Sequence, residues 1–317
     1  MRFAWIGFHR EGLAAFEALL EAGAPIVGAV TLTGEAAARR SGAVDYAPLC
    51  NRFEIPLHRV TDINSLDTVA LLRSLDLDVM FVIGWSQILK APALASARIG
   101  AVGAHASLLP ANRGSAPINW ALIRGEQQTG NSLLWLAESV DGGAVIDQVP
   151  FGITPYDTCA TLYDRVAFTN RDMLVRLSDR LLAGDRPGVP QPLTADPVLP
   201  RRRPDDGLLD WRVPSTRVYD FVRALTRPYP GAFGRLEGRR LKVWQAALPP
   251  LGDATVAEPG TCLGPVVSPE DNACGQLVAC GQGAVVILEV EGEDGRVLRG
   301  RALSEEPWRG RTWTVAE

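Results

Sequence analysis

The chain has 317 residues, 47% of them hydrophobic and 21% charged, with a net charge of −4. That length suits two domains with a sizeable core, and the composition is that of an ordinary soluble globular protein. The slight negative charge leaves no overall footprint for nucleic acid or an anionic membrane surface, and the one basic tract (Arg201, Arg202, Arg203) is followed by Asp205 and Asp206 and reads as solvated linker. Five cysteines (Cys50, Cys159, Cys262, Cys274, Cys280) are scattered, without a C-x-x-C, and His58 has no partner at zinc-ligand spacing. They read as free thiols in a reducing compartment, with no metal site expected. The first residues lack a signal-peptide pattern and no stretch reaches membrane-spanning length, so the expectation is a cytoplasmic protein with no membrane partner.

In chain order, residues 3–8 read as a strand and 12–22 as a helix with Leu13, Phe16, Leu19 and Leu20 on one face. Residues 25–32 and 55–60 read as strands, 65–75 as a helix capped by Asn64 or Ser65, and 77–84 as a continuous apolar strand. Such runs suit strands buried on both faces of a parallel sheet. Alternation of strand and helix predicts a Rossmann-like, doubly wound, mostly parallel α/β domain over 1–184, with ligands at the carboxyl ends of its strands. A long amphipathic helix is predicted over 157–183, with Leu162, Val166, Met173, Leu174, Leu177 and Leu181 as its stripe and Gly184 as its stop. The Pro-rich residues 185–204 read as a linker. Residues 205–317 read as a second domain, with a helix over 216–225 and strands over 232–236, 241–246 and 284–290 in a small β barrel or sandwich.

The chemistry concentrates in two stretches. GAHASLLPANRGSAPINW places His105 at the end of an apolar run, and SVDGGAVI places Asp141 on an Asp-Gly-Gly corner. A histidine at a strand end and an aspartate on a turn can supply proton donor and acceptor to one reaction centre. The loop after the first strand, GFHREG, lacks the G-x-G-x-x-G spacing, and there is no Walker A pattern. A nicotinamide or ATP enzyme is therefore disfavoured.

The order His105, Ser107 to Pro110, Arg113-Gly114, Pro117, Gly125-Glu126, Thr129-Gly130 and Asp141 to Gly143 resembles the formyltransferases that use 10-formyltetrahydrofolate. Residues 205–211 and 223–233 look most like the sugar-amine N-formyltransferases and, more loosely, the methionyl-tRNA formyltransferases. The resemblance implies an OB-like C-terminal domain, 10-formyltetrahydrofolate as co-substrate, and transfer of the formyl group to a primary amine, that of a nucleotide-linked amino sugar. It implies catalytic roles for His105 and Asp141. A pterin site would be formed by Trp85, Ser86, Gln87, Ile88 and Leu89 together with Leu136, Ala137, Glu138 and Ser139. Acceptor contacts would come from Arg113, Gly114, Asn119, Trp120, Arg223, Arg227 and Tyr229. One position departs from the pattern: where the family carries asparagine two residues before the histidine, this chain has Gly103. A preorganised donor to a developing oxyanion is worth about 3 kcal/mol, and glycine has no side chain to supply it.

Gly103 keeps two other readings open: a small-group transferase with an altered donor or an amino-acid-like acceptor, and a non-catalytic folate- or nucleotide-sugar-binding protein. A methionyl-tRNA formyltransferase is a further alternative, disfavoured by a chain with only 32 Lys plus Arg. A homodimer is also open, with the 216–225 helix as the surface to inspect.

Overall fold

The computed structural model describes residues 1–192, 194, 196–250 and 257–314. Two of the masked positions, 193 and 195, fall in the expected linker. The chain divides into two compact units: residues 1–117, 128–152 and 161–201 form the first, and 118–127, 153–160 and 202–317 the second.

The first unit runs β1 (Phe3–Ile6), α1 (Arg10–Glu21), β2 (Ile26–Leu32), α2 (Gly34–Ala38), α3 (Ala47–Arg52), β3 (Leu57–Val60), α4 (Leu66–Ser74), β4 (Leu77–Val82), α5 (Ala91–Leu94) and β5 (Ala97–His105). The helix α6 (Pro117–Ile123) falls in the second unit from residue 118 on, and the first unit resumes with β6 (Gln128–Trp135), β7 (Val145–Gly152) and, from residue 161, α7 (Cys159–Leu182). The sheet order is β3-β2-β1-β4-β5-β6-β7. The first five strands pair in parallel, and β6 and β7 add an antiparallel hairpin on the edge beyond β5. The mostly parallel doubly wound sheet is as expected. The hairpin was not read from the sequence, because its apolar residues continue without a sharp turn signal until Asp141.

Both sheet faces are apolar, which is why these strands read as continuous runs. Phe3, Trp5, Val79 and Phe81 point to one side and pack with Phe16 and Leu19 of α1 and Met173, Leu174 and Leu177 of α7. Their strand neighbours Ala4, Ile6, Met80 and Val82 point to the other side, against Val69 and Leu72 of α4 and Ala93 of α5. Ser65 caps α4 by accepting the Thr68 N–H at 3.2 Å. Ile6 pairs with Val82, so the chain reverses its winding between β1 and β4, and the strand ends beside that point form the expected ligand region.

The second unit carries α8 (Ser215–Leu225) and the strands β8 (Ala232–Leu236), β9 (Arg239–Ala247), β10 (Cys262–Val266), β11 (Gly275–Ala279), β12 (Ala284–Gly292) and β13 (Val297–Arg299), then α9 (Gly300–Ser304) and β14 (Trp313–Thr314). The sheet is antiparallel, in the order β10-β11-β12-β9-β8-β14, with β13 beside β12. Thr261 also bridges Thr312, and Trp313 N–H donates to the Gly260 carbonyl at 2.9 Å. These bonds join the two ends of the strand order, and the buried Trp211 and Trp313 lie with ring centroids 5.4 Å apart.

Candidate active site

His105 is the last residue of β5, held between β4 and β6, and its ring is 8% exposed. The chain then turns through Ser107 to Pro110. Ser107 Oγ donates to the Ala111 carbonyl at 2.7 Å, Ser132 Oγ to the Ser107 carbonyl at 2.6 Å, and Gln148 Nε2 to the Leu109 carbonyl at 3.0 Å. Gly130 leaves the room Leu108 fills, since a Cβ there would lie 2.4 Å from Leu108 Cδ2. The SLLP and Thr-Gly elements of the motif are thus two halves of one packing contact.

The turn brings the Asn112 carbonyl to 2.8 Å from His105 Nε2. A carbonyl only accepts, so Nε2 carries the hydrogen and Nδ1 of the neutral ring is a free base. Nδ1 lies 3.5 Å from Asp141 Oδ2. The same Oδ2 accepts the Gly114 N–H at 2.8 Å. Gly114 has φ +110°, and a Cβ on it would stand 2.5 Å from the Leu199 carbonyl oxygen, so only glycine presents that N–H. Asn112 (φ +57°) and Asp141 (φ +49°) are both left-handed, a conformation that side chains other than Gly, Asn and Asp adopt at a cost. The Asp-Gly-Gly corner is fastened from behind by Gln191, whose Nε2 donates to the carbonyls of Asp141 (2.6 Å) and Gly143 (2.8 Å). Gln191 sits in the Pro-rich stretch, where no periodicity or motif marks it.

Gly103 lies on β5 opposite Val82 and Leu134, in ordinary extended conformation. A Cβ there would stand 2.5 Å from Leu136 Cδ2. Leu136 therefore occupies the space that a side chain at 103 would need.

The expected pterin loop follows β4. Trp85 packs on the same apolar cluster as Leu136, edge-on to Phe8 at 5.8 Å, and its indole N–H is buried without a partner among the described residues. Gln87 is used structurally: Oε1 accepts the Ile63 N–H and Nε2 donates to the Thr61 carbonyl, at 2.8 and 2.7 Å. Leu89 is buried in the core, Ser86 is exposed, and Ile88 is 64% exposed. Ala137, Glu138 and Ser139 form the exposed loop between Leu136 and Asp141.

The residues expected to meet the acceptor divide between the units. Arg113 and Gly114 belong to the first, and the Arg113 Nε is buried and unpartnered among the described residues. Asn119, Trp120, Arg223, Arg227 and Tyr229 belong to the second. Asn119 is fully buried and donates to the Ala224 carbonyl at 2.6 Å. Arg223 spends its guanidinium on Asp220 and on the carbonyls of Thr154 and Asp157. These two side chains fasten α8, and their donors are engaged inside the unit. Trp120 carries the Arg202 guanidinium 4.9 Å from its ring. Arg227 lies over Trp244 at 4.1 Å and pairs with Glu289 at 2.6 Å, and Tyr229 is half-buried. Among the described residues, no group of three His, Cys, Asp or Glu is placed to hold a metal ion, and no helix is long and apolar enough to cross a membrane.

Comparison with known proteins identifies the family of the chain. The methionyl-tRNA formyltransferase of Symbiobacterium thermophilum is 34% identical over 295 residues, 92% of this chain and 88% of that protein. Among solved structures, HypX of Aquifex aeolicus superposes with a TM-score of 0.65 at 19% identity, over 96% of this chain and 49% of HypX, so the chain spans about half that protein's length. The N-formyltransferase of Helicobacter canadensis, solved with folinic acid and dTDP-3-aminofucose, gives 0.65 at 13% identity over 90% of this chain and 98% of that one. At these identities the structural likeness is one of fold. Residues 11–177 match the formyl transferase family and residues 202–306 the formyl transferase C-terminal domain, and the chain belongs to the formyl transferase family.

Proposed function

We propose that the protein moves a formyl group from 10-formyltetrahydrofolate to the primary amine of a nucleotide-linked amino sugar. The carrying observation is the His105–Asp141 pair, with one ring nitrogen anchored on a carbonyl and the other facing a fixed carboxylate. As the amine nitrogen attacks the formyl carbon it must shed a proton. His105 Nδ1 takes it, and Asp141 stabilises the imidazolium that forms. The protonated ring keeps Nε2–H on the Asn112 carbonyl and holds Nδ1–H beside the Asp141 carboxylate. When the bond from the formyl carbon to N10 breaks, the proton returns to N10, so the amine proton ends on the folate and no net charge is left.

Leu136 and Trp85 would form the apolar wall for the pterin, and the buried Trp85 N–H offers a donor to its polar edge. Related structures hold folates: HypX was solved with tetrahydrofolic acid, and the Helicobacter enzyme with folinic acid. A small acceptor is supported by the chain's negative charge and by the blocks at 205–211 and 223–233. The 34% identity to a methionyl-tRNA formyltransferase favours a second reading, with methionyl-tRNA as acceptor. A cytoplasmic location follows from either acceptor.

The test is mass spectrometry of purified protein with 10-formyltetrahydrofolate and, separately, a panel of nucleotide-linked amino sugars and methionyl-tRNA. The expected product is a singly formylated amino sugar, lost by at least a hundredfold in His105→Ala and Asp141→Asn. Formylation of methionyl-tRNA alone selects the second reading. Folate binding with no product on any amine, or wild-type rates in both variants, sinks the mechanism.

A further inference from the structure

Beside the expected pterin loop lies a polar cavity of about 460 Å³, lined by Thr33, Glu35, Arg39, Arg40, Thr61 and Arg201. It sits in the first unit, past the carboxyl ends of β2 and β3. Three arginines meet there against one carboxylate. That carboxylate, Glu35, is taken by Arg39 at 2.8 Å, and both side chains point into solvent. Arg40 and Arg201 have no ion-pair partner among the described residues. Burial, and then the like charge of Arg201, hold the Arg40 guanidinium below the usual arginine value.

Two polar atoms in this wall are buried with no hydrogen-bond partner among the described residues: Arg40 Nε and Thr33 Oγ1. A half-buried guanidinium facing a second one, with a donor left unpaired, is costly unless an anion completes it. Arginine presents the fork that binds carboxylate or phosphate through paired N–H groups. The cavity is also tied to the pterin loop. Arg40 donates to Ser86 Oγ and lies 5.8 Å from the Phe8 ring, which in turn packs on Trp85. Arg201, read from the sequence as solvated linker, supplies the second guanidinium.

We propose that Arg40 and Arg201, with Thr33 and Thr61, form an oxyanion pocket that holds the charged end of a substrate bound at the transfer site. This rests on the donor assignment above. The shared chemistry is a carboxylate or phosphate carried by a molecule that also reaches the loop after β4, to which Arg40 is tied through Ser86. Two sources fit it: the glutamyl carboxylates at the far end of the folate, and the phosphates of a nucleotide-linked acceptor.

The test is calorimetric titration of the whole protein with three probes: tetrahydrofolate bearing one glutamyl residue, tetrahydrofolate bearing three, and inorganic pyrophosphate. The variants are Arg40→Gln, Arg201→Gln and, as a charge-matched control in the second unit, Arg239→Gln. If the folate tail is the source, the triglutamyl form binds at least tenfold more tightly than the monoglutamyl form. That preference disappears in Arg40→Gln and Arg201→Gln but persists in the control. If acceptor phosphate is the source, the preference is absent, pyrophosphate binds, and its Kd rises at least tenfold in the same two variants. Arg201→Gln, at an exposed position, keeps the test valid should Arg40→Gln unfold. Affinities for all three probes that ignore both charges overturn the pocket. Failure of wild type to bind either folate, with pyrophosphate still held through the arginines, overturns the donor assignment and leaves the pocket standing.

Discussion

Replacing Gly103 by asparagine supplies the side chain that the sequence resemblance leads one to expect there, and the structure sets what that change costs. The new Cβ would lie 2.5 Å from Leu136 Cδ2 and 3.1 Å from its Cγ. Ordinary contact begins at 3.4 Å, so the Leu136 side chain must retreat by roughly an ångström. A leucine forced off its preferred rotamer costs about 0.5–1.5 kcal/mol. Because a kcal/mol moves the melting point of a chain this large by about 2–4 °C, Gly103→Asn should lower Tm by a few degrees. Leu136 belongs to the expected pterin wall, so KM for the formyl donor should rise as well. Against this, an amide reaching the developing oxyanion would add about 3 kcal/mol of transition-state stabilisation, roughly a hundred- to thousandfold in kcat. The pair Gly103→Asn/Leu136→Ala removes the collision and should keep the gain in kcat. Its Tm should be higher than the sum of the single changes predicts, by a coupling of about 1 kcal/mol. The assay is a double-mutant cycle read in Tm and in single-turnover formyl transfer. Additive Tm values would show that the two positions do not compete for space. A folded double variant with no gain in kcat would show that position 103 does not face the reacting carbonyl.

Gln191→Leu should lower kcat about tenfold or more with little change in KM, since the corner bearing Asp141 loses both of its side-chain fastenings while substrate contacts persist. Steady-state kinetics checks this, and an unchanged kcat would mean the corner holds itself. Lys242, Trp244 and Arg227 hold the Glu291 carboxylate below the usual glutamate range, Lys242 contributing most. The stability this gives is complete above the unfolded pKa of about 4.3 and is lost as pH falls through the lower folded value. The Tm gap between wild type and Glu291→Gln should therefore be full at pH 7 and close below about pH 4; a gap that widens in acid refutes the assignment. Burial pushes the thiols of Cys50 and Cys262 up to about 11, and those of Cys159 and Cys280 up to about 12. A thiol-disulfide dye at pH 8 should titrate these four only after denaturation.

The sheet, the main helices and the location of His105 were legible because each rests on local pattern. Phe3 to Ile6 and Leu77 to Val82 are apolar on both faces, and Ser65 carries a cap that only a helix start uses. The β6–β7 hairpin was not legible, because its Asp-Gly-Gly turn is separated from β6 by the loop from Leu136 to Val140 and its place in the sheet depends on a long-range partner, β5. At the candidate site the chemical groups could be read, but their supports could not. Nothing near His105 in the sequence says that the Asn112 carbonyl fixes its proton on Nε2, that Gly114 donates to Asp141, or that Gln191 reaches back to Asp141 and Gly143. Those are backbone contacts, whose donors and acceptors are the same at every residue. Leu136 shows the reverse case: its type suggested a pterin wall, and in the fold it also fills the place of the side chain missing at 103.

The ring closure of the C-terminal sheet bears on how the protein behaves when its end is altered. Because Thr261 meets Thr312 while Trp313 pairs with Leu236, residues 310–314 cover the edges of both β10 and β8. A chain cut before Arg311 would lose the buried Trp313 and bare two rows of unpaired N–H and C=O groups at once. Such a shortened chain should self-associate through those edges even though His105 and Asp141 are far away in sequence and untouched.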